Sequence, residues 1–395
     1  MVLGVSNNKM VTSSKNPYLK DEHLLLRKMV QDFSLQELKP IAQEIDKNST
    51  FPHDSIKKIS NLGLMGIPWD DKYNGAGMDY VSLVIAIEEM AKVCVSTAVT
   101  VMAHTSLGTG PFAYFGTESQ KQSYLTKLAS GKMIGAFGLT EPNAGSDAGS
   151  TQTTATLIND EYIVNGQKAF CTNAGFAGVI IFTAKIIIDN KEVGIGALYV
   201  DAGTKGLRLG NPEHKMGWKA SDTRSVYFDD MKIPKTNILG SPNKGFKQFL
   251  ETLTGGRISI SALALGICQG AYNIALKYSN EREAFGKKIN RFQSVSFKLA
   301  DMATQIEAAK HLVYHAAWLK DNNKNIIKEA AMAKLFSSEL AMNITTDAIQ
   351  LLGGYGYIRE YDVERFFRDA KILEIGEGTS EIQRIIISRE ILKSL

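Results

Sequence analysis

The segment Gly376-Glu377-Gly378-Thr379 has the residue pattern that most strongly suggests chemistry. A single carboxylate lies between two glycines, after the largely apolar residues 372–375 and before an isoleucine-rich stretch. The glycines leave room for a substrate beside Glu377, and apolar walls would raise the pKa of its carboxyl group and make it a useful general base. A solvent-exposed loop glutamate fits the same local sequence, so both interpretations stand on these residues alone.

Two further segments have residue types suited to a flat, polar ligand. Residues 137–147 combine glycines and hydroxyls, which would let backbone N–H groups approach a polar ring or a phosphate. In the segment 168–174, Phe170 could stack on a ring and Thr172 could hydrogen-bond to it. On these residues alone, an ordinary Pro-Asn-Gly loop and a half-buried strand are the preferred explanations of the two segments.

Two predicted helix ends also suit an anionic ligand. Arg282 follows a long helix, and its guanidinium can grip two phosphate oxygens, although cations at a helix C-terminus are normal without a ligand. Residues 350–357 contain three glycines, more than a helix C-cap needs, so a close backbone approach to a ligand is the rival interpretation. His311 and His315 lie four residues apart without an obvious third ligand, and we expect no metal site.

These segments are positioned by three regions of different hydrophobic period. Residues 21–130 and the chain from residue 244 onward have helical spacing, whereas residues 134–239 alternate with a period of two. The prediction is an α+β fold with an all-α N-terminal domain (1–130), a central antiparallel β-barrel or sandwich domain (131–240) and a C-terminal four-helix bundle (241–395). The bundle helices are predicted at 246–283, 292–322, 326–352 and from Ser380, where Ser380 and Gln383 have capping-box spacing.

Short strands and turn residues define the central region. Asn165-Gly166 follows the strand 162–164 and predicts a hairpin turn, because this dipeptide is the strongest short hairpin signal. A second hairpin is predicted around Asp189-Asn190-Lys191. Four strands are predicted in addition: 179–187, 193–200, 225–228 and 231–233.

Length and composition fix the general class of protein. The chain has 395 residues, of which 44% are hydrophobic and 22% charged, and this average usage excludes a disordered chain or a disulfide scaffold. A net charge of +4 does not require a nucleic-acid partner. Cys94, Cys171 and Cys268 suggest free thiols in a reducing compartment. Since neither a membrane-length apolar run nor a secretory leader is found, we expect a cytoplasmic protein, or a mitochondrial-matrix protein in a eukaryote.

Taken together and in order, these motifs resemble those of the acyl-CoA dehydrogenase family, most closely its short-chain, butyryl-CoA type. The resemblance extends from about residue 21 to residue 392. It rests on four motifs: Gly138-Leu-Thr-Glu-Pro-Asn-Ala-Gly-Ser-Asp147, Lys215-Met-Gly-Trp-Lys-Ala-Ser-Asp-Thr223, Val363-Glu-Arg-Phe-Phe-Arg-Asp-Ala370 and Glu377-Gly-Thr-Ser-Glu-Ile-Gln-Arg384. It implies non-covalent FAD between the β domain and the bundle, and a homotetramer built as a dimer of dimers.

The resemblance assigns the FAD contacts to three groups of residues. One group would surround the flavin and its adjoining chain: Phe137, Leu139, Thr140, Gly145, Ser146, Phe170 and Thr172. A second group would reach the FAD of a neighbouring subunit: Arg282, Gln293, Gln350, Gly353 and Gly354. Thr379 and Glu381 would complete the site, and the substrate would be held by Ser146, Thr254, Arg257 and Gly378.

The resemblance also implies the reaction, in which Glu377 is the catalytic base. It would remove the α-proton of an acyl-CoA thioester while FAD accepts the β-hydrogen, so that a trans-2-enoyl-CoA forms. Electrons would pass to an electron-transfer flavoprotein, in fatty-acid or amino-acid catabolism. An acyl-CoA oxidase that uses oxygen and a non-catalytic FAD or acyl-CoA binding protein on the same scaffold are the competing readings.

Two positions depart from the family pattern. Thr254 stands where many relatives have an aspartate, which puts one contact to the CoA moiety in doubt. Gly376 stands where many relatives have a tyrosine before the base, and we expect the missing ring to open the acyl pocket to somewhat longer or branched chains. Gly256 occupies the position that the isovaleryl branch uses for its base, so that branch is disfavoured.

Overall fold

The computed structural model describes residues 16–393, so the N-terminal stretch where no secretory leader is expected lies mostly outside the described residues. The first part of the described chain is helical, as predicted, because its apolar residues return every three or four positions. Its helices are α1 Asp21–Phe33, α2 Ala42–Asn48, α3 His53–Asn61, α4 Tyr80–Ala91, α5 Val95–Ala103, α6 Gly110–Phe115, α7 Glu118–Gln120 and α8 Thr126–Ala129.

The central part is a sheet of eight strands. In spatial order the main path is β6-β7-β3-β2-β4-β5-β8, and β1 pairs with β4. Most neighbours are antiparallel, as expected, but β1 and β2 each pair with β4 in parallel. The strands are β1 Ile134–Gly138, β2 Thr154–Ile158, β3 Glu161–Thr172, β4 Ala177–Ile188, β5 Lys191–Asp201, β6 Leu207–Pro212, β7 Thr223–Pro234 and β8 Ile238–Leu239.

The predicted hairpin turn at Asn165-Gly166 is wrong. Strand β3 continues through both residues, with an irregular register opposite β7 between Val164 and Gly166. The Asn165 side chain donates to Asp230 Oδ1 at 2.9 Å instead of forming a turn. The glycine is required because a Cβ there would lie 2.7 Å from the Cα of Thr153.

Other predictions for the sheet fared differently. The hairpin around Asp189-Asn190 is confirmed, since both residues have positive φ between β4 and β5. The two predicted strands 225–228 and 231–233 are one strand, β7, with Asp230 at a φ of 42° within it. A single residue in the left-handed region therefore bends the strand without ending it.

The C-terminal part is helical, and its three long helices lie within two residues of the predicted bounds. A two-stranded ribbon, β9 Glu283–Ala284 and β10 Lys287–Lys288, connects the first two. The helices are α9 Gly245–Glu281, α10 Gln293–Asp321, α11 Ile327–Leu352, α12 Gly354–Tyr357, α13 Val363–Ala370 and α14 Ser380–Leu392.

Two details of these helices bear on the sequence predictions. The N-cap of α14 is Thr379, whose Oγ1 accepts the Ile382 N–H at 3.3 Å. The predicted capping box at Ser380 and Gln383 is therefore wrong, because the cap lies one residue earlier and the third helical residue, Ile382, has no side-chain acceptor. Within residues 16–393, α9 alone is long and apolar enough to cross a membrane, but 78% of its apolar window is buried inside the protein. It is therefore a core helix.

The two helical parts share one hydrophobic core, whereas the sheet has its own. Buried residues of α4, α5, α9, α10 and α11 form a continuous cluster. Close backbone packing joins the parts: a Cβ on Gly266 of α9 would lie 2.6 Å from the Ala91 side chain of α4. The loop before β7 is tied to α13, since the Trp218 N–H donates to Asp369 at 2.6 Å. The loops that contain predicted site residues are therefore anchored between well-packed helices and strands.

Candidate active site

Glu377 lies in a left-handed turn between α13 and α14. The φ angles of Glu377 and Gly378 are 54° and 89°, a pair of left-handed conformations that only glycine adopts without strain. This turn directs the carboxylate toward α9, where a Cβ at Gly256 would lie against Glu377 Oε2. The position before Arg257 and the position of Glu377 therefore converge on the same point in space.

Two cations lie near this carboxylate, whose Oε2 atom is buried. Burial raises the pKa of Glu377 to about 7, and the positive charges of Lys334 and Arg257 oppose that rise. Both cations are themselves buried, with 1% and 5% of their surfaces exposed. A carboxyl group with a pKa near 7 can accept a proton and release it again near neutral pH, as a general base must.

Several polar atoms of this cluster point into the site without a partner. Among the described residues, Glu377 Oε2 and Arg257 Nε are buried and make no hydrogen bond. The backbone N–H of Glu377 likewise has no acceptor among residues 16–393. Buried polar groups are normally satisfied, so these atoms indicate a place for a polar ligand.

Two side chains that were not predicted to belong to the site hold the turn. Lys334 Nζ donates to the Gly378 carbonyl at 2.7 Å, and Gln383 Nε2 donates to the same oxygen at 2.8 Å and to the Glu377 carbonyl at 3.3 Å. A signal for Lys334 does exist in the sequence. It is a lone cation on a helix face otherwise made of buried small residues such as Ala330, Ser337 and Ala341.

The two segments predicted to contact a flat ligand lie side by side. The Ala169 N–H donates to the Thr140 carbonyl at 2.8 Å, which joins the end of β1 to the end of β3. Phe137 stacks on Phe249 of α9, with ring centroids 4.1 Å apart. Phe170 has a φ of 56° and 66% of its surface exposed, so an uncovered ring projects beside this junction.

A buried ion pair between Lys168 and Glu141 stabilises this junction. Lys168 Nζ lies 2.6 Å from Glu141 Oε1, and it also donates to the Leu139 carbonyl and to Thr151 and Thr183. Burial alone would raise the pKa of Glu141, but its hydrogen bonds, first that from Lys168, lower it to about 2. Neither Glu141 nor Lys168 was predicted from the sequence to have this role.

The remaining members of the first group lie around the same junction. Thr172 is half-buried at the end of β3, where it pairs with Thr223. Gly145 and Ser146 are exposed, and no atom of the described residues beyond its two chain neighbours lies within 4 Å of a Cβ built on Gly145. This loop therefore has free space in front of it.

Four members of the second group share a different location. Arg282, Gln350, Gly353 and Gly354 line a surface groove of about 440 Å³ between the ends of α9 and α11. No residue of the first group lines this groove within the described chain. Gln293, the fifth member, does not line it either and begins α10.

Two exposed aromatic residues lie close in sequence to residues that line this groove. Phe285 in the ribbon is 94% exposed and Tyr357 in α12 is 85% exposed. Large exposed aromatic side chains of this kind are typical of surfaces that bind another protein.

Of the residues predicted to hold the substrate, Gly378 adjoins Glu377 and Arg257 lies near enough to affect its pKa, and the predicted α14 residues follow directly in sequence. Thr254 Oγ1 accepts a hydrogen bond from Arg257 Nη1 at 3.2 Å, so a threonine can orient the arginine where relatives have an aspartate. Thr379 caps α14, and Glu381 is in its first turn, where the helix N-terminus favours an acidic side chain. A Cβ on Gly376 would meet only Ile372, at 3.5 Å and 3.9 Å.

Comparisons with known families agree with the resemblance in the sequence. Three family models match the chain: "Acyl-CoA dehydrogenase, N-terminal domain" over residues 20–132, "middle domain" over 136–231 and "C-terminal domain" over 243–392. Together they span nearly all of the described chain. The predicted three-part fold is confirmed by these matches.

Individual relatives are similar over almost their whole length. A protein of Clostridium acetobutylicum named short-chain specific acyl-CoA dehydrogenase is 48% identical over 95% of this chain and 99% of its own. The butyryl-CoA dehydrogenase structure from Megasphaera elsdenii has a TM-score of 0.92 and 44% identity, over 95% of this chain and 99% of that one. A chain in a structure described as the electron transferring flavoprotein of Acidaminococcus fermentans has a TM-score of 0.93 and 45% identity, over 96% and 100% of the two chains. The protein belongs to the acyl-CoA dehydrogenase family.

Proposed function

We propose that the protein removes hydrogen from Cα and Cβ of a short-chain acyl-CoA, with Glu377 as the base and FAD as the cofactor. The observation that supports this most directly is the Glu377 carboxyl group. Its Oε2 atom is buried and has no hydrogen-bond partner, and two buried cations lie near enough to affect its pKa, which is raised to about 7, in the working range of a base. One similar structure is named butyryl-CoA dehydrogenase and one relative is named short-chain specific acyl-CoA dehydrogenase, and these names favour a short acyl group.

The chain's own residues include a proton acceptor and one donor for the carbonyl oxygen. The Glu377 carboxylate accepts the proton from Cα, the carbon next to the thioester carbonyl. The α-proton becomes acidic when donors hold the carbonyl oxygen and stabilise the enolate charge, and the free Glu377 N–H is available as one such donor. Arg257 and Lys334 add positive charge close to the developing anion.

The residues at the junction of β1 and β3 fit a bound FAD. Thr140 and Thr172 would hydrogen-bond the edge of the flavin, Phe170 would lie against the ring, and the glycine loop with Ser146 would approach the adjoining chain. The exposed Phe170 ring and the free space at Gly145 support this fit. When bound, FAD supplies the acceptor for the hydride that leaves Cβ.

The second group of residues supports a site shared between subunits. The groove containing Arg282, Gln350 and Gly353 is separate from the flavin junction of the same chain, and its arginine suits a phosphate. In our proposal these residues, with Gln293, contact the FAD of a neighbouring subunit in a homotetramer. The exposed aromatic side chains of Phe285 and Tyr357 nearby support such an interface.

The acyl pocket is proposed to accept chains somewhat longer or more branched than butyryl. Gly376 precedes the base and leaves open space, because its nearest non-neighbouring atoms belong to Ile372 at ordinary contact distance. Gly256 is equally small on the opposite side. A base could not stand at position 256 beside Glu377, so the two positions are alternative sites for one carboxylate.

The proposed electron acceptor is an electron-transfer flavoprotein, and the proposed location is the cytoplasm, or the mitochondrial matrix in a eukaryote. Use of oxygen as acceptor, as in an oxidase, is the second candidate. A non-catalytic binding protein is the third, and the intact Glu377 cluster disfavours it. Peroxide formation in air separates the oxidase from the dehydrogenase.

Anaerobic reduction of the bound flavin by a panel of acyl-CoA thioesters tests the proposal. Butyryl-, hexanoyl-, isobutyryl- and 2-methylbutyryl-CoA are added to the yellow protein, and bleaching of the flavin is followed. The Glu377→Gln variant should retain FAD but lose bleaching. A variant that bleaches at a near-native rate would remove Glu377 as the base, and a wild-type flavin that no thioester bleaches would refute the activity.

A further inference from the structure

The left-handed turn that contains Glu377 is held by a buried lysine from a distant part of the chain. Lys334 lies in the middle of α11, 1% exposed, with its ammonium 2.7 Å from the Gly378 carbonyl. A lysine is almost never fully buried without a carboxylate partner in direct contact. Within residues 16–393 this lysine forms no ion pair within 4.0 Å, so its burial requires a reason.

The hydrogen bond acts on the geometry of the base. Glu377 and Gly378 both have left-handed φ angles, and a non-glycine residue keeps such a conformation only when its surroundings hold it. The Gly378 carbonyl accepts from Lys334 and from Gln383, one donor from α11 and one from α14. Two rigid helices thereby fix the direction in which the Glu377 side chain leaves the backbone.

The charge acts on the ionisation of the base. Burial disfavours the carboxylate form of Glu377, while the two nearby cations, Lys334 first and Arg257 second, favour it. Burial also lowers the pKa of Lys334, to about 8, and the Glu377 charge opposes this. The ammonium and the carboxylate therefore stabilise each other.

Other charged groups around Lys334 are more exposed or already paired. Glu374 is bound by Lys371 at 2.5 Å and Glu339 by Arg384 at 2.7 Å. Glu381 in α14 is solvent-exposed. The groups that face Lys334 from its own helix and from the packed elements are Glu377, Arg257, Glu374, Glu339 and Glu381.

On the basis of the proposed function, we propose that Lys334 is a positioning residue for the catalytic base. It fixes the Glu377–Gly378 turn through the Gly378 carbonyl, and its ammonium keeps the Glu377 side chain in the carboxylate form that accepts the α-proton.

Neutral variants of Lys334 test this inference. Lys334→Gln keeps a hydrogen-bond donor but removes the charge. If the shorter glutamine side chain leaves a void, Lys334→Met is used instead, because methionine fills the space of the aliphatic part of the lysine. In whichever variant retains FAD, the acid limb of the pH profile of flavin reduction should move up by about one pH unit. At pH 6 the rate should consequently fall roughly tenfold, and at pH 9 it should fall far less. Lys334→Arg, which keeps the charge, should restore most of the wild-type profile.

Gln383→Met is the matched control, because it removes the second donor to the same carbonyl without changing any charge. It should lower the rate at every pH and leave the position of the acid limb unchanged. The carboxyl infrared band that disappears in Glu377→Gln gives a second readout in the absence of substrate. Its titration should shift upward in the neutral Lys334 variants.

Two negative results have different meanings. If Glu377→Gln is inactive but the neutral Lys334 variants have the wild-type profile and titration, the role of Lys334 is refuted and the proposed base stands. If Glu377→Gln reduces flavin normally, the proposed base itself fails. A shift of the acid limb in Gln383→Met equal to that in Lys334→Gln would also refute the charge argument.

Discussion

The ion pair between Glu141 and Lys168 offers the sharpest test of how the proposed flavin junction is stabilised. Both side chains are buried, at 5% and 0% exposure, and their charged atoms lie 2.6 Å apart. The pair joins the segment after β1 to the middle of β3. We predict that Lys168→Met destabilises the fold and loosens this junction.

The magnitude follows from what each partner keeps after the change. Breaking a buried ion pair costs about 3–5 kcal/mol, because the remaining charge is left in a low-dielectric interior. Glu141 would retain donors from Gln152 N–H at 2.6 Å, Thr153 N–H at 3.1 Å and the Thr151 hydroxyl. These three donors satisfy much of the carboxylate, so we expect the low end of the range, about 3 kcal/mol.

The assay is a double-mutant cycle with Glu141→Gln. Urea unfolding of the four proteins is followed by tryptophan fluorescence at fixed protein and FAD concentrations. The double variant removes both charges, so its cost should be about 2 kcal/mol smaller than the sum of the single costs. FAD retention should fall in Lys168→Met, since Leu139 and Thr140 belong to the same segment. Lys235→Met is the control, because its pair with Asp160 is exposed, and its unfolding midpoint should stay unchanged.

Strict additivity of the two single changes would refute the reasoning. It would mean that Glu141 and Lys168 contribute independently and that their proximity has no energetic consequence. A cost below about 1 kcal/mol for Lys168→Met would have the same meaning, since it is the value of an exposed pair.

Two further predictions concern the acyl pocket and acid stability. Gly376→Tyr should lower kcat/KM for hexanoyl-CoA about tenfold relative to butyryl-CoA, because the ring takes the space of the two additional methylenes. Gly376→Ala is the control and should have little effect. Equal losses of kcat/KM on both thioesters would contradict the pocket assignment. His104 is fully buried, its Nδ1 accepts the Gly135 N–H at 3.1 Å, and burial lowers its pKa to about 4. The unfolded chain therefore binds a proton below pH 6.5 that the folded chain refuses, and stability is lost as pH falls from about 6.5 to about 4. The free energy of unfolding should decrease by about 2 kcal/mol between pH 7 and pH 5 because of His104. Urea titrations at pH 7 and pH 5 should show that His104→Gln lacks this decrease. If the variant keeps the wild-type pH dependence, another group is responsible.

The helical parts of the fold could be predicted because their signal is repeated over many residues. Three helices of 26 to 37 residues each show a long apolar face, and their ends were predicted within two residues. Errors arose where one residue decides the local structure. Asn165-Gly166 has the composition of a turn, but Thr153 packs on the glycine and Asp230 binds the asparagine, so the strand continues.

Glu377 stood out in the sequence because two glycines flank it, but its role as the base and the place of Arg257 at the substrate came from the family resemblance, and Lys334 was not predicted. Lys334 is 43 positions earlier in the chain and Arg257 is 120 positions earlier, and no local pattern relates them to Glu377. They meet because α9 and α11 pack against each other under the turn before α14. Only the tertiary structure brings the two cations, Lys334 and Arg257, close to the anionic side chain of Glu377.

The ionisation of Glu377 follows from two opposing effects that the fold supplies together. Burial alone would leave the carboxyl group protonated at neutral pH, and it could accept no proton. Two cations in contact with an exposed carboxylate would lower its pKa and make it too weak a base for an α-proton. Because the site combines burial with Arg257 and Lys334, the pKa lies near 7, above that of a surface glutamate and still low enough for ionisation. A bound thioester that excludes further water adds no net charge near the carboxylate and so increases its affinity for the proton at the moment of transfer.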